Sequence, residues 1–88
     1  MWIKDHYHRL INTENVMYLE YADKNAEKKV DTKLWTIAAH IKQRDRSVET
    51  TGVTCWLTEG FTDKKEVIIR MNKIAEGIAN GAALITLD

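Results

Sequence analysis

The spacing of apolar residues changes once along this chain, at Gly60, and that change constrains the fold more than any other feature. Before Gly60, apolar and polar side chains alternate over short segments, which is typical of β-strands. After Gly60, apolar residues recur every three or four positions, which is typical of an amphipathic α-helix. Because no helical pattern separates the strand segments, their order predicts consecutive antiparallel strands followed by one helix.

The alternating segments are short and rich in β-branched and aromatic residues. The predicted strands are residues 16–21, 34–41, 53–58 and, at the C-terminus, 83–87. In the two central segments, one face carries mainly threonine and histidine together with Trp56, and we expect this face to be the outer one. The predicted fold class is therefore α+β, an antiparallel β-meander of about four to five strands with one long C-terminal helix packed on one face.

The helix is predicted to run from about residue 63 to residue 80. Asp63 begins a capping-box pattern, and Thr62 is the alternative cap. Gly81 follows the last periodic residue, where a left-handed conformation favours glycine. Gly77 lies inside the helix, where glycine costs about 1 kcal/mol relative to alanine, so we expect close packing there. The apolar stripe of the helix consists of Val67, Met71, Ile74, Ala75 and Ile78, with Ile68 at its edge.

A polar patch at Asn12–Asn15 interrupts the apolar segments "RLI" and "VMYLEY". Asparagine and threonine side chains bond to nearby backbone groups, which favours a tight turn over a continuing strand. We therefore expect a turn between two strands at this position.

The chain has 88 residues, which is enough for a single domain spanning residues 1–88. A chain of this size buries only about 60–65% of the surface that its unfolded form exposes. Cys55 is the only cysteine, so no disulfide supplements the core, and its apolar surroundings predict a packed thiol in a reducing compartment. Oligomerisation is the remaining source of additional burial.

The charges balance, with 13 Lys and Arg residues against 13 Asp and Glu residues. Zero net charge removes the general field that binders of nucleic acid or acidic membranes use. No apolar run approaches the roughly 20 residues of a membrane span, and "MWIKDHYHRL" does not resemble a signal peptide. We expect a cytoplasmic protein without a membrane association.

The pattern Ile11-Asn12-x-x-Asn15-Val16-x-Tyr18-Leu19-Glu20 resembles the beginning of many short bacterial and phage proteins of uncharacterised function. The resemblance implies a small protein made of a Trp-containing first strand, a meander and a C-terminal helix. Trp2-Ile3-Lys4 fits that first strand. This chain departs from the pattern in two longer charged loops and a C-terminal "ALITLD" extension, and the resemblance carries no catalytic residues with it.

The same segment also resembles a strand of the LytTR-type DNA-binding domain, which implies basic loops that reach nucleic acid. The candidate residues for nucleic-acid binding are Lys28, Lys29, Arg44 and Arg46. Acidic residues are interleaved with them in both loops, which weakens the local field. Nucleic-acid binding by an accessory or regulatory protein is therefore the alternative function, and solvated loops explain these charges more simply.

Metal binding and catalysis are weakly supported by the sequence. His6 and His8 are two positions apart and would share one face of a strand, but zinc would need His40 or Cys55 to complete its ligands. A turn with both histidines in solvent is the simpler interpretation. No phosphate loop, nucleophile elbow or carboxylate pair is present in the sequence, so we predict no enzyme, no metal and no cofactor.

Surplus aromatic residues determine the predicted function. The interface candidates are Trp2, Tyr18 and Trp56, which we place on the sheet face that the helix does not cover. Aromatic side chains are enriched at the centres of protein interfaces. We therefore predict a non-enzymatic interaction module that forms a homo-oligomer, a dimer or larger, with another protein as a further partner.

Overall fold

The computed structural model describes residues 1–42 and 53–87. Within them it contains six strands, one α-helix and one 3₁₀ turn, which confirms the predicted α+β class. The elements are β1 (Trp2–Lys4), β2 (Leu10–Asn12), the 3₁₀ turn (Thr13–Asn15), β3 (Val16–Asp23), β4 (Trp35–Ile41), β5 (Val53–Trp56), α1 (Lys64–Ala79) and β6 (Leu84–Thr86).

The strands form two three-stranded sheets, which differs from the single meander that the sequence predicts. The β3-β4-β5 sheet is an antiparallel meander. The other sheet has the order β2-β1-β6, with β1 antiparallel to β2 and parallel to β6. The C-terminal strand therefore returns to the N-terminal strand, and it does so after a helix, the connection that a parallel pairing needs.

The core lies between the two sheets and α1, which contacts both β4 and β6. Alternate residues of each strand point into it, as the period of two requires. Val67 and Ile74 are the buried residues of the helix, whereas Ile78, also predicted in the stripe, is exposed. The buried apolar cluster contains Ile3, Ile11, Ile37, Ala39, Leu57, Val67, Ile74, Ile85 and Leu87.

Local signals set both ends of α1. The Asp63 carboxylate accepts a hydrogen bond from the backbone N–H of Lys65 at 2.9 Å, so Asp63 and not Thr62 is the cap. At the other end, Gly81 has φ 67°, the left-handed conformation expected just beyond a helix. The predicted helix bounds are thus confirmed to within one residue.

The polar patch after β2 forms the expected turn. It is a single 3₁₀ turn, Thr13–Asn15, and the Asn12 side chain accepts a hydrogen bond from the N–H of Glu14 at 3.1 Å. A register shift between Val16 and Tyr18 follows in β3. The patch therefore redirects the chain from one sheet into the other.

The outer face of the meander is partly buried, contrary to the simple expectation of a solvent-facing side. Thr36 and Thr58 are both buried there, and their hydroxyl oxygens lie 2.9 Å apart. The Thr36 hydroxyl also donates to the Thr58 carbonyl, so the polar atoms of the pair are satisfied. Across the described part of the chain, no helix is long and apolar enough to cross a membrane.

Candidate functional site

The outer face of the β2-β1-β6 sheet carries three large apolar side chains that are exposed to solvent. Trp2 is the register partner of Leu84 across the parallel ladder. Leu10 pairs with Lys4 on the other side, which places it diagonal to Trp2. The exposed fractions are 46% for Trp2, 52% for Leu84 and 61% for Leu10. We call Trp2, Leu10 and Leu84 the Trp2 face; exposed apolar groups of this kind mark interaction surfaces.

The three predicted interface aromatics do not share one face, because the chain forms two sheets. Trp2 belongs to the sheet just described. Tyr18 and Trp56 lie on the outer face of the meander, in neighbouring rows of its ladder. Sequence alternation identified side chains that point outward, but it did not show which strands lie together. Leu10 and Leu84, the other members of the Trp2 face, were not singled out.

Tyr18 is engaged by its neighbours on the meander although about half of it is exposed. Its ring stacks on His40 with the centroids 4.1 Å apart. His40 Nε2 lies 2.7 Å from Glu20 Oε1, and His40 Nδ1 lies 3.4 Å from the Thr54 hydroxyl. The carboxylate, imidazole and hydroxyl follow the order used in nucleophilic catalysis, but 3.4 Å exceeds the length of a strong hydrogen bond. The contacts therefore hold the imidazole against Tyr18.

Trp56 forms one wall of an open cleft, and Tyr7 forms another. Lys24 approaches both rings, with Nζ 5.4 Å from the Trp56 centroid and 5.5 Å from the Tyr7 centroid. The ammonium also donates a hydrogen bond to the Tyr7 hydroxyl at 2.9 Å. The Trp56 distance is that of a cation–π contact, whereas the ammonium meets Tyr7 at the hydroxyl edge of its ring, so the indole and the Tyr7 hydroxyl together hold the positive charge in place.

Arg9 completes the positive side of the cleft and is fixed by Asp5. Its Nε donates to the buried Asp5 carboxylate at 2.7 Å, and its Nη2 donates to the Trp56 carbonyl at 2.9 Å. The hydrogen bond to Asp5 raises the pKa of Arg9 above its usual value. The guanidinium carbon lies 5.1 Å from the Tyr7 centroid. The turn between β1 and β2 thus presents a permanently charged group beside an aromatic ring.

Of the four residues predicted to bind nucleic acid, the structure brings one to this cleft. Lys28 lines it, and Lys29 is exposed in the same loop. Arg44 and Arg46 lie outside the described residues. The cleft has a volume of about 760 Å³ and is lined by Tyr7, Arg9, Lys24, Lys28, Ile41, Thr54, Cys55 and Trp56. We call it the cation–aromatic cleft.

Three of the described lining residues are cations and none is a carboxylate. Within the described residues, neither Lys24 nor Lys28 forms an ion pair. Sequence reasoning missed Tyr7, Arg9 and Lys24, because they come from separate segments that only the fold brings together. A basic residue at the end of a strand, as Lys24 is, was the one available signal.

The loop after β3, which carries Lys28, is closed by Asp23. The Asp23 carboxylate accepts hydrogen bonds from the N–H groups of Asn25 at 2.8 Å and Leu34 at 2.9 Å. The bonds from Leu34 and Asn25 lower the pKa of Asp23 below its usual value.

Asp23 therefore makes stability depend on pH in the acid range. A carboxyl group whose pKa is lowered by folding stabilises the fold at pH values above its unfolded-state pKa of about 3.9. This contribution disappears as the pH falls through the pKa of the folded state. We expect Asp23→Asn to flatten the dependence of the urea midpoint on pH between about 5 and 2. Asp31→Asn, which removes a carboxyl group from the same loop and leaves the Asp23 hydrogen bonds in place, is the comparison variant. Equal slopes for Asp23→Asn and wild type would contradict this assignment.

The histidines and the cysteine occupy positions that do not assemble a metal site. His6 and His8 lie in the turn between β1 and β2, not on a strand face, and His8 has φ 63°. His6 Nε2 lies 3.7 Å from Glu59 Oε2. Cys55 pairs with Ala39 and points to the opposite face from His40. No cluster of three or more potential metal ligands occurs within residues 1–42 and 53–87.

Comparisons of the chain with models of protein families, with curated proteins and with solved structures find no match. The resemblances carried by the segment at residues 11–20 therefore stay predictions.

Proposed function

We propose that this protein is a non-enzymatic interaction module that associates with a second copy of itself through the Trp2 face. The observation that carries the proposal is the exposure on one sheet face of Trp2, its direct neighbour Leu84 and its diagonal neighbour Leu10. Removing apolar surface from water contributes about 25 cal/mol per Å², and a tryptophan with two leucines provides a compact apolar centre.

Two properties of the chain favour a second copy as the occupant. The formal net charge is zero, so two copies do not repel each other at long range. A two-fold arrangement places the same patch of each protomer against the other, so an apolar centre is complementary to itself. The polar residues on the same sheet face, Lys4, Asn12 and Thr86, would form the rim of such an interface.

The proposal predicts a dimer that depends on the two exposed leucines. We expect wild-type protein to have a mass close to twice 10.2 kDa by light scattering at micromolar concentration. Leu10→Gln combined with Leu84→Gln should weaken self-association by at least about tenfold, because each change removes apolar area from the centre of the interface. Both side chains are largely exposed, so the melting temperature extrapolated to low concentration should change little.

Ile69→Gln is the matched control, because Ile69 is 62% exposed on the helix and lies away from the Trp2 face. This variant should retain the wild-type mass. A wild-type mass of one chain across a wide concentration range would overturn the proposal, as would equal association of the double variant and wild type.

A further inference from the structure

The cation–aromatic cleft is open, its volume suits a small molecule, and one of its walls is fixed. Its volume of about 760 Å³ lies within the range typical of such sites, which is about 300–1,000 Å³. Asp5 accepts hydrogen bonds from the backbone N–H groups of Tyr7 at 3.0 Å and Arg9 at 2.8 Å, which fixes the turn that carries both side chains. A wall that is already fixed lowers the entropic cost of binding.

The charges of the cleft match an anion. Lys24 and Lys28 form no ion pair among the described residues, and Arg9 reaches the rim while anchored to Asp5. An ammonium has three N–H donors, and Lys24 commits one of them to the Tyr7 hydroxyl. The remaining donors suit a group with several acceptor oxygens, such as a phosphate.

The apolar part of the cleft matches a planar ring. Trp56 is half-buried and supplies the ring of the lining on the outer face of the meander, whereas Ile41 and Cys55 line the cleft from the opposite face of the same sheet. Indole and phenol rings bind nucleobases by stacking, which is tolerant of base identity because every base has a π-face. Tyr7 also lines the cleft, with its ring centroid 5.5 Å from Lys24 Nζ, and adds a second ring.

We propose that the cation–aromatic cleft binds a nucleotide unit, with the phosphate at Lys24 and Lys28 and the base against Trp56. The unit is either a free nucleoside monophosphate or one residue of a single-stranded nucleic acid, since both present the same ring and phosphate. This site is separate from the Trp2 face, and it extends the sequence-based nucleic-acid alternative to Tyr7, Arg9, Lys24 and Trp56.

The test is a titration of the ¹⁵N-labelled full chain followed by NMR. Adenosine monophosphate should shift the indole N–H signal of Trp56, while that of Trp2 in the same spectrum stays in place. Adenosine alone and inorganic phosphate alone should each bind at least about tenfold more weakly, because each supplies half of the contacts. A hexathymidylate that binds more tightly than the monophosphate, with an affinity that falls as salt rises, would assign the unit to a strand. Equal affinity would assign it to the free nucleotide.

Variants separate the two halves of the site. Lys24→Gln combined with Lys28→Gln should weaken monophosphate binding by about tenfold or more and should not weaken adenosine binding, because these ammonium groups contact the phosphate and Lys24 no longer covers the Trp56 ring. Trp56→Leu retains apolar volume but removes the stacking surface, and it should weaken both ligands by about five- to 150-fold. Lys65→Gln, on the exposed side of the helix, is the charge control and should bind as wild type.

Three results would overturn the proposal. The first is the absence of any Trp56 shift with monophosphate at about 10 mM, a concentration that reveals even millimolar binding. The second is an affinity for inorganic phosphate equal to that for the monophosphate, which would show that the base contributes nothing to binding. The third is unchanged binding in both the lysine and the Trp56→Leu variants, each shown to be folded by its amide spectrum.

Discussion

Asp5→Ala is expected to destabilise the protein by about 3–5 kcal/mol, which is a large part of the 5–15 kcal/mol typical of a small domain. The Asp5 side chain is fully buried and accepts three hydrogen bonds, from the N–H groups of Tyr7 and Arg9 and from the Arg9 guanidinium. Truncation removes the shared acceptor of two part-buried backbone N–H groups, and each hydrogen bond to a charged acceptor contributes about 1.5–3 kcal/mol. In a domain of this size, the melting temperature should fall by about 12 °C or more.

Two further variants distinguish the roles of the Asp5 carboxylate. Asp5→Asn retains an acceptor for the two backbone N–H groups but loses the charge, so its loss should be intermediate. Arg9→Gln should cost less than Asp5→Ala, because the Arg9 side chain is about half exposed and water replaces its contacts. The measurement is urea unfolding at neutral pH. A midpoint for Asp5→Ala within error of wild type would show that the turn does not depend on this carboxylate.

Gly77→Ala is expected to destabilise the protein by about 1–3 kcal/mol, although the same change in an exposed helix position stabilises by about 1 kcal/mol. A Cβ at Gly77 would collide with Ile85 Cδ1 and lie 2.7 Å from Ile85 Cγ1. Ile85 is buried in β6, so it cannot move aside without displacing the core. This contact confirms the close packing that the glycine predicts from sequence.

A double-mutant cycle isolates the collision. Ile85→Val removes the δ-methyl group and should by itself cost about 0.5–1.5 kcal/mol. If the collision is the cause, Gly77→Ala should be less destabilising in the Ile85→Val background than in wild type, which gives a measurable coupling. Asn72→Ala, at an exposed position of the same helix, is the control for the helix propensity of alanine. It should leave the free energy of unfolding unchanged or raise it slightly. A stabilising effect of Gly77→Ala in wild type would contradict the packing described for α1 and β6.

The cleft was only partly predictable from the sequence. Trp56 was identified because it is the one large aromatic residue on a predicted strand face of mainly threonine and histidine. Lys28 was identified because it is a basic residue in a predicted loop. Both features can be recognised within a short segment of sequence. Lys24 was missed, since its significance arises from its contacts with both Tyr7 and Trp56. Those three residues come from the β1–β2 turn, the end of β3 and the end of β5, and local pattern does not encode their meeting.

The sequence by itself determined which segments are strand or helix and where the helix ends. Three signals act on backbone groups within four residues and can therefore be recognised from the sequence: Asp63, Gly81 and the turn at Thr13–Asn15. Tertiary structure decided which strands pair. The alternation of apolar and polar residues specifies which face of a strand is buried, but it does not specify which strand pairs with it. The parallel pairing of β1 with β6 joins the two ends of the chain. That pairing forms because it buries Ile3 and Ile85 together against the helix, a gain that exists only when the whole core assembles.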